Sequence, residues 1–177
     1  MITHIDQETV THLQNVANTL RDDAVRLAAE MVSTGQPGVS LEKLLQRRDF
    51  LSRMTYSLAR EVARILAEND RHVESVYLYE PSANPDSEAG IELPVEATLH
   101  LLVSVTAPTA ALESFIRALD RALTDSLREL PSPLYAGRTS ILNVCLVTGE
   151  DIRERRGYAA LLTSVFAPPL KIWDRPA

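Results

Sequence analysis

His100 lies in the run Thr98-Leu99-His100-Leu101-Leu102-Val103, whose alternation is that of a strand. Period two sets Glu96, Thr98, His100, Leu102 and Ser104 on one side, and Leu99, Leu101, Val103 and Val105 on the other. A carboxylate, a hydroxyl and an imidazole sharing a strand face are the parts of a metal site or a general base. Asn143 and Cys145 recur with the same period in Leu142-Asn143-Val144-Cys145-Leu146-Val147. On an adjacent strand they would extend that face, and a histidine beside Cys145 would make a nucleophile of its thiol. The plainer alternative keeps His100 as a partly buried side chain with one hydrogen-bond partner, and Cys145 as a small core residue.

Other routes to chemistry are closed by what is missing. The glycines Gly35, Gly38, Gly90, Gly137, Gly149 and Gly157 fit neither a phosphate-cradling loop nor a dinucleotide fingerprint. No serine sits in a nucleophile elbow, and no His-Glu-x-x-His occurs. A single cysteine excludes a disulfide framework and a cysteine-rich zinc site, so a reducing compartment is expected and the chain is read as cytoplasmic. His4, His12 and His72 are scattered; His4 and His12, eight residues apart, make no chelate alone. No metal and no cofactor is expected. The arginines of Arg47-Arg48-Arg53 and Arg153-Arg155-Arg156 stand among acids, as on solvated helix faces, and 24 acids against 18 bases leave a charge of -6. A nucleic-acid partner is therefore not expected, although converging arginines would bring a steep salt dependence. No stretch approaches the roughly 18 to 20 apolar residues that cross a bilayer, nor does Met1-Ile2-Thr3-His4-Ile5-Asp6 open like a signal peptide, so no membrane partner is expected.

The elements that must position these residues follow from periodicity. Val10, Leu13, Ala17, Leu20, Ala24, Leu27 and Met31 step by threes and fours along a helix predicted over 6–34, about 43 Å long. Gly35, Pro37 and Ser40 turn the chain into a second helix from Leu41 to Glu68, with Leu41, Leu44, Leu45, Leu51, Met54, Leu58, Val62, Ile65 and Leu66 on its apolar face. This hairpin, residues 1–70, either carries an association seam in its first-helix stripe or packs on its own domain. Strands are predicted over 73–80, 97–105 and 139–147, with a short edge strand over 170–173. Thr106-Ala107-Pro108 opens a helix that Pro131 and Pro133 end, and another helix runs from Thr148 to Phe166 with a bend near Gly157. Residues 81–94, rich in proline and small or acidic types, read as a flexible loop. The fold class is α+β: a long N-terminal helical hairpin, then a small mixed sheet with helices on one face over 71–177.

This order resembles the minimal nucleotidyltransferase fold. Val76-Tyr77-Leu78-Tyr79 stands where that family has its first strand. Thr98-Leu99-His100-Leu101-Leu102-Val103 resembles its Asp-x-Asp-Leu-Leu-Val strand, and Leu142–Thr148 the strand with the third acid. Leu170-Lys171-Ile172-Trp173 resembles its short terminal segment, so the similarity spans about residues 72 to 174. In the family a Gly-Ser holds the nucleotide phosphates and three carboxylates bind two magnesium ions. Here the turn reads Glu80-Pro81-Ser82, and Thr98, His100 and Asn143 stand at the acid positions. The resemblance thus implies a degenerate member without that catalysis.

The expectation is a non-catalytic interaction or oligomerisation protein, a dimer or hetero-complex joined through the Val10–Met31 stripe. The alternative is an enzyme or a small-ligand or nucleotide-binding domain using Glu96, Thr98, His100, Asn143 and Cys145 on an open sheet face, gated by residues 81–94.

Overall fold

The protein is described by a computed structural model over residues 7–33, 48–79, 98–128, 136–165 and 168–176. In chain order the elements are α1 (Gln7–Ser33), α2 (Arg48–Asn69), β1 (Val73–Leu78), β2 (Leu99–Val105), α3 (Ala110–Arg128), β3 (Leu142–Thr148), α4 (Gly149–Glu154), a 3₁₀ helix (Gly157–Thr163) and β4 (Leu170–Asp174). They form a mixed α/β structure around a four-stranded sheet in the order β3-β2-β1-β4. Two compact units result. One holds α1, α2 as far as Leu58, and the chain from Ser114 to Ile141; the other holds α2 from Ala59, the sheet, the start of α3, α4 and the 3₁₀ helix. The turn predicted at Gly35–Ser40, with Leu41, Leu44, Leu45, Glu96 and the loop 81–94, lies outside the described residues.

In the first unit, α1 presents an exposed polar face that recurs at helical spacing through Gln7, Thr11, Asn15, Asn18, Asp22 and Arg26. Arg26 bridges Asp23 at 2.9 Å and Glu30 at 3.3 Å on this face. The side chains of Val10, Leu13, Ala17, Leu20, Ala24, Leu27 and Met31 lie outside the described residues, as do those of Leu51 and Met54. Buried Ser126 of α3 donates to Asn18 Oδ1 at 3.1 Å, so α1 is tied to α3 through its polar side. Asp120 Oδ1 accepts from the Ile141 amide at 3.0 Å. That bond explains why β3 starts three residues later than alternation predicts: Ile141 is held by a carboxylate, and pairing begins only where β2 begins, at Leu99 opposite Leu142.

The second unit is built on its sheet. β2 and β3 run parallel, as strands joined by a helical crossover do, whereas β1 is antiparallel to both β2 and β4. β2 is central, so both of its faces are buried. On one face Val73, Val76, Leu99, Leu101, Val103 and Val105 are fully enclosed, and the same unit buries Ala59, Val62, Ala63, Ile65 and Leu66 of α2. The other face carries Leu102, Tyr79 and Val147, covered by Ala159, Ile152, Leu161 and Leu162. This cover has a topological cause: the chain leaves β3 at one edge and must cross β2 and β1 to reach β4 at the other. The His100 face, expected to be open, is therefore roofed over its middle.

Two local expectations are corrected. α3 opens at Ala110 rather than within Thr106-Ala107-Pro108: its cap is Thr109, whose Oγ1 accepts the Leu112 amide at 3.0 Å, while Thr106 Oγ1 meets His72 Nδ1 at 2.7 Å. The helix predicted to run from Thr148 to Phe166 ends at Glu154, because Arg155 adopts the left-handed conformation at φ 53° and Gly157 follows at φ 51°.

Candidate functional site

Parallel register sets His100 directly opposite Asn143, and Leu102 opposite Cys145. Asn143 Nδ2 lies 3.1 Å from His100 Nδ1. Two of the sequence candidates, His100 and Asn143, thus meet. Thr98, half-buried, stands one residue ahead of β2 and shares His100's side of the strand by alternation.

Tyr79 forms the floor of this group. Its amide donates to the His100 carbonyl at 3.2 Å, extending the ladder one residue beyond β1. Its ring lies 5.6 Å from the His100 ring and 6.0 Å from that of Tyr158, both tilted. Its hydroxyl meets Cys145 Sγ at 3.6 Å. Burial, and secondarily this bond to the thiol, push the Tyr79 phenol above its ordinary range. Cys145 is half-buried against Tyr79, Leu102, Val147 and Ala159, an apolar setting rather than the cationic one a nucleophile needs.

The result is a line of rings, Tyr158-Tyr79-His100, that passes from solvent inward and ends beside a carboxamide. Tyr158 is 54% exposed and Asn143 is exposed, while Tyr79 is 7% exposed. Among the described residues no three His, Cys, Asp or Glu side chains are grouped to hold a metal ion.

The remaining sequence candidates have other tasks. His72 is fixed through Thr106, and its amide is taken by Asp70 Oδ1 at 2.8 Å. Arg156 pairs with Glu150 at 3.3 Å and with Glu154, and Arg153 donates to the Gly149 carbonyl, so these arginines serve α4. Glu96, Arg47 and His4 lie outside the described residues, as do the side chains of Arg48, Arg53 and His12. Sequence reasoning missed Tyr79 and Tyr158 as neighbours of His100. Tyr79 lies one residue past its strand, and only the β1–β2 register reveals which rung it occupies. Among the described residues no helix is long and apolar enough to cross a membrane. No family model matches the chain, and neither a curated protein nor a solved structure matches it.

Proposed function

We propose that the chain is a non-catalytic interaction protein, a degenerate nucleotidyltransferase-like sheet domain whose N-terminal helix mediates self-association. The observation that carries this reading is the His100–Asn143 bond at 3.1 Å. Where the resemblance calls for carboxylates that gather magnesium, an imidazole and a carboxamide meet instead, and neither supplies the anionic oxygens that a hard cation prefers. For the association element, support comes from α1, 27 residues long with a polar face and a sequence stripe of opposite character. Its tie to Ser126 uses Asn18, outside that stripe.

Light scattering over a dilution series tests the reading on the full chain and on Leu13→Gln/Leu20→Gln/Leu27→Gln. The wild type should show at least twice the 19.6 kDa chain mass at micromolar concentration, and the variant a single chain. A wild-type monomer throughout sinks the association half. A magnesium-dependent thermal shift with any nucleoside triphosphate sinks the non-catalytic half.

A second reading, a small-ligand domain at His100, Asn143 and Cys145, is favoured by the exposed Tyr158 ring beside Tyr79. It predicts a melting rise with a planar heteroaromatic ligand that Tyr158→Ala abolishes.

A further inference from the structure

β4 is a short edge strand, paired with β1 alone. It is five residues long, follows Pro168-Pro169, and buries none of its side chains fully; Leu170 is 53% exposed. Its ladder with β1 slips between Val76 and Tyr77, where one step on β1 answers two on β4. Against this weak attachment stands one residue just beyond the strand. Arg175 donates Nε to the Val73 carbonyl at 2.8 Å and Nη2 to the carbonyls of Ala67 and Asp70, each at 3.1 Å. Its amide bonds the Glu74 carbonyl at 2.8 Å, and its guanidinium lies 5.4 Å over the Trp173 ring. Ala67 is in the last turn of α2, whose carbonyls lack helical partners and carry the negative end of the dipole. A single planar cation therefore closes the end of α2, the start of β1 and the end of β4 together.

We infer that β4 is a detachable strap, which opens as a unit while the rest of the sheet stays folded, and that the Arg175 fork is its latch. Opening bares the outer edge of β1, a row of backbone donors and acceptors to which another strand can add. The strap is a property of the C-terminal edge and stands apart from any association through α1.

Trp173, the one tryptophan of the chain, sits on the strap and reports its release. Urea titrations of the full chain, Arg175→Ala and Arg175→Lys are followed by Trp173 fluorescence and far-UV circular dichroism, with amide exchange measured in native buffer. The fluorescence midpoint should precede the dichroism midpoint in the wild type, and the gap should widen in Arg175→Ala. Protection of β4 amides should fall by about tenfold or more in Arg175→Ala while β2 and β3 keep theirs. Arg175→Lys, which keeps the charge but not the fork, should fall between. Coincident midpoints in all three proteins overturn the inference, as does protection lost equally across β1 to β4. Should Arg175→Ala not fold, the wild type and Arg175→Lys decide the matter by the same two criteria.

Discussion

Tyr79 joins more of the candidate site than any residue that alternation singles out. It touches His100 by its ring and Cys145 by its hydroxyl, and it is nearly enclosed. The His100–Asn143 pair was legible because two strands of period two, placed side by side, bring like faces together. Tyr79 was not, since its place depends on a pairing across residues 80–97, a separation no local pattern spans. Its burial as a neutral phenol has a consequence for alkaline stability. The folded state holds the proton above the ordinary value of 10.0, so the contribution is fully present below that pH and is lost as pH rises past it. Tyr79→Phe should therefore flatten the alkaline limb of the stability–pH curve. At pH 7 it should cost no more than about 1 kcal/mol, the scale of one hydrogen bond. Urea unfolding of both proteins from pH 7 to 11 checks this; an unchanged alkaline limb would remove Tyr79 as its source.

At the scale of elements, period and cap told apart helices and strands well, and endings less so. α1 is predicted over 6–34, and the structure describes a helix over Gln7–Ser33, where seven apolar positions recur by threes and fours. The start of α4 is local too: Thr148 accepts from the Asp151 amide, and the Asp151 carboxylate accepts from the Thr148 amide and hydroxyl. Those bonds hold the Asp151 carboxyl below the usual carboxylate range, the Thr148 amide contributing most. The end of α4 has no such signature. Arg155 is a good helix former, yet it sits at φ 53°, ψ 40°, and its amide and that of Arg156 return to the carbonyls of Ile152 and Asp151. A side chain there meets the left-handed penalty, which glycine avoids at some entropic cost. Arg155→Gly should accordingly stabilise the protein by about 0.5–1 kcal/mol, seen as a higher urea midpoint with an unchanged slope. A lower midpoint would mean that the Arg155 side chain makes contacts worth more than the strain.

For the molecule as a whole, charge and apolar surface act in opposite senses on association, and their balance separates the functional readings. Each chain carries -6, so two copies repel, and about 0.15 M salt shortens that repulsion to roughly 8 Å. An interface formed by the Val10–Met31 stripe should then tighten as salt rises, since apolar burial is not screened. Binding of nucleic acid through arginines would weaken steeply over the same range, because each phosphate contact releases counterions. Association also couples to stability by mass action, which makes the melting temperature depend on concentration. The prediction is a midpoint that climbs with protein concentration from 1 to about 100 μM, climbs further in 0.5 M salt, and becomes flat in Leu13→Gln/Leu20→Gln/Leu27→Gln. Differential scanning fluorimetry across that grid reads all three. A wild-type midpoint independent of concentration would assign the stripe to packing within its own chain.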